Sequence, residues 1–112
     1  MSFEEDWGKV EVLMQKATGK TPDNTNQVLL LIGIQELGRG VDHFSKEEKR
    51  DLLHIGTCAV FATGGYYKYS HTDSDGWPHY DLVDKIPHAK LGQQDGLIRV
   101  HIIKYFKELG VI

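Results

Sequence analysis

Between positions 71 and 81 the chain gathers two histidines and three carboxylates: His71, Asp73, Asp75, His79 and Asp81. Imidazole nitrogen and carboxylate oxygen together suit zinc, manganese or iron, which accept mixed nitrogen and oxygen ligands. A metal held there would polarise a substrate or activate water, with a free carboxylate as base. Glu36 and His54 are the side chains expected to join this set from elsewhere in the chain. The metal reading therefore names His71, Asp73, Asp75, His79, Glu36 and His54 as ligands and a divalent ion (Zn, Mn or Fe) as cofactor. The plainer reading is an Asp-rich turn pinned by Trp77, with its histidines in water. An EF-hand calcium loop is excluded. Asp73-Ser74-Asp75-Gly76 has the look of an EF-hand centre, but that frame puts His71 and Leu82 where calcium needs oxygen.

Other chemistry-bearing residues are sparser. His54 and Cys58 lie four apart and share a helix face with Glu47 and Asp51. The plainer reading is a hydrogen-bonded histidine beside a small core cysteine. Cys58 sits in an apolar run, the wrong setting for a thiolate nucleophile. Glu36 closes a stretch of apolar residues, so if buried it needs a hydrogen bond, a cation or a metal. At the last turn of its helix it can instead reach water or pair with Arg39. His101 is expected at a helix edge near Tyr105, within reach of His54 or Glu36 across a bundle. No Glu-x-x-His pair occurs anywhere, which excludes the di-iron bundle pattern. Gly38-Arg39-Gly40 and Gly64-Gly65 read as helix ends, not phosphate loops. Tyr66, Tyr67, Tyr69, Trp77 and Tyr80 have three uses open to them: covering their own helices, forming an oligomer interface, or (Tyr66, Tyr69, Trp77 and Tyr80) lining a small-molecule pocket.

The elements that must position these groups read as helices. Phe3, Trp7, Val10, Met14 and Ala17 recur at helical spacing, predicting a helix over about Glu4 to Ala17 that ends at Gly19. A second helix is expected from Asn26 to Leu37, with Thr25 as N-cap and Asp23 and Asn24 as nearby alternatives. Val28 to Ile34 makes it apolar on nearly every side, the mark of a central or shared helix. Ser45-Lys46-Glu47-Glu48 is a capping box that starts a third helix running to Ala62. Gly33 and Gly56 permit close approach, so these two helices form the expected central pair. The last helix is expected from Gln93 to Leu109. Tyr80 to Lys85 reads as a short helix, and Tyr66 to Tyr69 as a strand only if a partner exists, which none of the sequence suggests. The expected fold is all-α: a compact bundle of four main helices, with an irregular aromatic, Asp- and His-rich segment before the last.

At 112 residues the chain makes one domain, 1–112, with one core. Thirteen Lys and Arg against sixteen Asp and Glu leave a formal net charge of -3, which argues against a nucleic-acid partner. One cysteine excludes an internal disulfide, the acidic opening residues are unlike a signal peptide, and Val28 to Ile34 is too short to span a bilayer. Together these predict a cytoplasmic protein with no membrane partner. Two broadly apolar helices in so small a chain lead to the main functional expectation: a structural or protein-interaction module that self-associates, as a dimer. The alternatives are the metal-binding protein or metal-dependent hydrolase built on His71 to Asp81, and the aromatic-lined small-ligand module.

Overall fold

The computed structural model describes residues 2–40, 43–87 and 91–112, the side chains of 91–93 excepted. Four helices form: α1 (Phe3–Thr18), α2 (Thr25–Leu37), α3 (Lys46–Ala62) and α4 (Leu91–Glu108). Their starts follow capping chemistry. Ser2 Oγ accepts the Glu5 N–H at the head of α1, and Asn24 Oδ1 accepts the Gln27 N–H at the head of α2. Asn24, one of the alternatives to Thr25, is thus the cap. Thr25 is buried and its hydroxyl donates to Asp95 Oδ1 of α4 at 3.2 Å. The capping box of α3 is complete, with Glu48 N–H on Ser45 Oγ at 3.1 Å and Ser45 N–H on Glu48 Oε1 at 2.9 Å. Helix α4 starts two residues before the expected Gln93.

Helices α2 and α3 are the central pair. A Cβ added to Gly33 would fall onto the Leu52 carbonyl, and one added to Gly56 onto the Leu29 carbonyl. Backbone therefore lies on backbone at two points, and the order of the pairs makes the crossing antiparallel. Val28, Ile32, Leu52, Val60 and Ile102 are almost fully buried around this seam. Each such side chain contributes about 1.5–3 kcal/mol. Trp7, Val10 and Met14 close the core from α1, and Ile103, Tyr105 and Phe106 from α4. Asp6 ties these outer helices together: it is buried, and its Oδ2 accepts from Lys107 Nζ at 2.9 Å. The radius of gyration is 13.8 Å, against about 13 Å for a compact chain of this length.

The all-α expectation is overturned between α3 and α4. Residues Tyr67–Thr72 form strand β1 and Pro78–Leu82 form β2, a two-stranded antiparallel hairpin. The short helix expected over Tyr80 to Lys85 is instead the second strand and its exit. The segment is regular, and its partner is itself. The pairing Tyr67↔Leu82, Lys68↔Asp81, Tyr69↔Tyr80 slips at a bulge before His71↔His79 and Thr72↔Pro78. That slip breaks the two-residue alternation that would announce a strand. Among the described residues, no helix is long and apolar enough to cross a membrane.

Candidate functional site

The tip of the hairpin is organised by Asp73. Its Oδ1 accepts the backbone N–H of Asp75 at 2.9 Å and of Trp77 at 3.0 Å, and its Oδ2 meets His79 Nε2 at 2.8 Å. The His79 hydrogen bond, followed by that from Trp77, holds the Asp73 carboxyl below the usual carboxylate range. The rings of His71 and His79 stack, centroids 4.8 Å apart and 6° from parallel. Arg39, at the end of α2, donates its guanidinium to the Asp75 carbonyl and lies over the Trp77 ring. It is therefore engaged with the hairpin and not with Glu36. A cleft of about 460 Å³ separates this tip from the first half of α3, lined by Asp51, His54, Asp73, Trp77 and His79 among others.

Glu36 lies in a different place. Its Oε1 accepts the Tyr80 hydroxyl at 3.3 Å and its Oε2 the Tyr105 hydroxyl at 3.2 Å, so one carboxylate joins α2, β2 and α4. Burial, and then the Glu36 charge, push both phenols well above their ordinary pKa. They are neutral donors. A shallow cleft of about 270 Å³ opens here beside Tyr69, Ala62 and Thr63.

The structure thus brings His54, Asp73 and His79 to one cleft, keeps His71 and Asp75 on the hairpin tip, and sends Glu36 to two tyrosines. Among the described residues, no group of three or more His, Cys, Asp and Glu side chains is placed to hold a metal ion. The expected metal-binding motif is corrected to that extent: the six side chains expected as ligands, His71, Asp73, Asp75, His79, Glu36 and His54, are not gathered at one point among the described residues. The physical reason is prior engagement: Asp73 closes its own turn, Glu36 accepts two phenols, and His54 Nε2 faces Cys58 Sγ at 3.5 Å. Cys58 is buried, which pushes its thiol up to about 11 and disfavours the thiolate. His101, expected at an edge, is buried between Phe61 and Tyr66, with Nδ1–H donating to the Leu97 carbonyl at 2.8 Å. The four aromatics expected to share a pocket are dispersed. Tyr66 packs on His101, Trp77 borders the α3 cleft, and Tyr69 and Tyr80 meet edge to face beside Glu36.

Two surface grooves lie elsewhere among the described residues. The first, about 360 Å³, runs along α1 past Glu5, Gly8, Lys9, Val12, Leu13 and Lys16 to Val111 and Ile112. Val12 and Val111 are each 52% exposed there. The second, about 410 Å³, lies between α2 and α3, with Leu30 and Leu53 half-buried in its floor and Lys46, Lys49 and Arg50 around it. Sequence reasoning passed over both. The signal for the second was present: Lys46, Lys49, Arg50 and Leu53 fall on one face of a helix, Glu47, Glu48, Asp51 and His54 on the other.

No protein-family model matches the chain, and neither the curated proteins nor the solved structures include a significant match.

Proposed function

We propose that this chain is a protein-interaction module that works as a dimer of identical copies joined through the outer face of α1. The observation that carries this reading is the order of residues along that groove, Glu5, Gly8, Lys9, Val12, Leu13 and Lys16. Two copies laid antiparallel about a two-fold axis bring Glu5 against the second copy's Lys16. They also bring Leu13 over the second copy's Gly8, and Val12 against the stem of Lys9. Two-fold symmetry makes each contact twice. Nothing stands within 4 Å of the position a Gly8 Cβ would take, so the face carries a notch for an incoming side chain. The α2–α3 groove lacks this self-complementarity, since its charged lining residues are all cationic and would oppose one another across a two-fold axis. The internal engagement of Cys58, Glu36, Tyr80, Tyr105 and Asp73 further supports binding over catalysis.

Sedimentation equilibrium over a wide concentration range tests the reading. The wild-type chain should dimerise reversibly. Glu5→Lys or Lys16→Glu alone turns two attractive pairs repulsive and should weaken the dimer roughly tenfold, at about 0.5–1 kcal/mol per exposed pair. The double variant Glu5→Lys with Lys16→Glu restores the pairs and should return close to wild type. A chain that stays monomeric at its highest soluble concentration overturns the reading, as do single variants that dimerise unchanged or a double variant that does not recover.

A further inference from the structure

We propose that the groove between α2 and α3 is a second docking surface, separate from the α1 face, that takes an acidic amphipathic helix of a partner protein. Four observations converge on it. The apolar part of its floor is incompletely covered: Leu30 and Leu53 are half-buried. Leu53 packs against the core from this floor, and Leu30 stands outside the residues that do. Its charged lining is of one sign, Lys46, Lys49 and Arg50, on a chain whose formal net charge is -3. Among the described residues none of these three cations forms an ion pair.

The fourth observation is the charge order of α3. Lys46 and Arg50 are four apart, and so are Glu47 and Asp51. Those spacings set like charges beside each other on a helix, where alternating signs would have stabilised it. The sorted pattern is locally unfavourable, and it produces one cationic face and one anionic face on the same element. The cationic face borders the apolar groove.

A trough between two antiparallel helices can seat a third helix. Such a helix binds by laying apolar anchors along the floor while charges pair at the rim. Leucine-type floor residues favour this occupant over a nucleic acid, which needs cations and stacking surfaces rather than aliphatic ones. An anionic membrane is likewise a poorer match, because the floor is a trough between helices and not an outward apolar ridge.

The test uses the full chain and a fluorescein-labelled synthetic helix of about 18 residues, five turns, with leucines on one face and glutamates on the other. Fluorescence polarisation should show binding that weakens as salt rises. Lys49→Glu and Arg50→Glu together should weaken it at least about tenfold, and Leu30→Asn, at a half-buried position, by several-fold. The same peptide with lysines for glutamates should not bind. Glu5→Lys chain should bind the acidic peptide as wild type does, which separates this surface from the α1 face. Three results overturn the proposal: no salt-sensitive binding of the acidic peptide, binding indifferent to the Lys49 and Arg50 substitutions, or tighter binding to phosphatidylserine vesicles or to a single-stranded oligonucleotide.

Discussion

At the crossing of α2 and α3 two backbones touch, with Gly33 on the Leu52 carbonyl and Gly56 on the Leu29 carbonyl. The hairpin meets the bundle differently. Tyr80 reaches Glu36, and Arg39 reaches the Asp75 carbonyl and the Trp77 ring. The seam is a matter of shape, in which a single methyl group is an obstacle. The hairpin rests half-buried Tyr67 and Tyr80 on the core and is fixed there by separable polar ties, each of modest worth and some of them titratable. A change at the seam is therefore felt by the whole core, and a change at the hairpin stays local.

The sharpest way to break this contrast is to add one carbon to the seam. Gly33→Ala or Gly56→Ala gains about 1 kcal/mol of helix propensity in isolation. In this fold the obstacle is a carbonyl on the opposing backbone, so the helices must separate and the core around Ile32 and Leu52 must loosen. Overpacking costs about 3 kcal/mol at the upper part of its range, which leaves an expected net loss of about 2 kcal/mol. Urea denaturation measures it directly. A neutral or stabilising result at both positions would mean that the two backbones do not lie in contact.

The seam was legible in the sequence and the hairpin was not, for reasons visible in particular residues. Gly33 and Gly56 interrupt apolar helical runs, and the capping box at Ser45 is a local signal that needs no knowledge of the rest of the chain. The hairpin has no strong face: Tyr69 is 52% exposed and Leu82 62%. Its bulge also shifts the alternation midway, and Pro78 stands at the start of β2. Strand character there comes from pairing, which a single pass along the residues does not reveal. The candidate site was legible in composition but not in grouping. Glu36 was identified as needing a partner, yet its partners are 44 and 69 positions away. The turn at Asp73 was recognised, and so was its alternative to metal binding; what the sequence withheld was that one carboxylate would take up two backbone N–H groups and His79 together.

The Glu36 cluster sits between the two regimes, since it links the hairpin to α2 and α4. Tyr105→Phe should cost about 1 kcal/mol, the usual net worth of one hydrogen bond, and Tyr80→Phe about the same or slightly less. Alkaline pH sharpens the comparison. Both phenols are pushed up in the folded chain, so on deprotonation the unfolded chain loses its protons first. Their contribution is complete below the ordinary phenol value of 10.0 and declines as pH rises above it toward the folded values. The double phenylalanine variant should therefore show a flatter loss of stability above that pH than wild type. An identical slope in the two proteins would remove Glu36 as a link between the regions.

The smallest global effect, and the most local, belongs to Asp73. Its carboxyl is held below the ordinary range by His79 and by the N–H groups of Trp77 and Asp75. As pH falls, the opened turn takes up a proton before the closed one does. The contribution of Asp73 is thus fully present above the ordinary carboxylate value and is lost as pH drops through its own lowered value. Asp73→Asn keeps the shape but weakens the charge-assisted bond to His79 and the acceptance from both N–H groups. In hydrogen exchange it should lower the protection of the β1–β2 amides, remove the acid dependence of that protection, and leave the amides of α2 and α3 unchanged. Protection lost from the helices as well would show that the hairpin and the seam unfold as one unit, and the distinction between them would not survive.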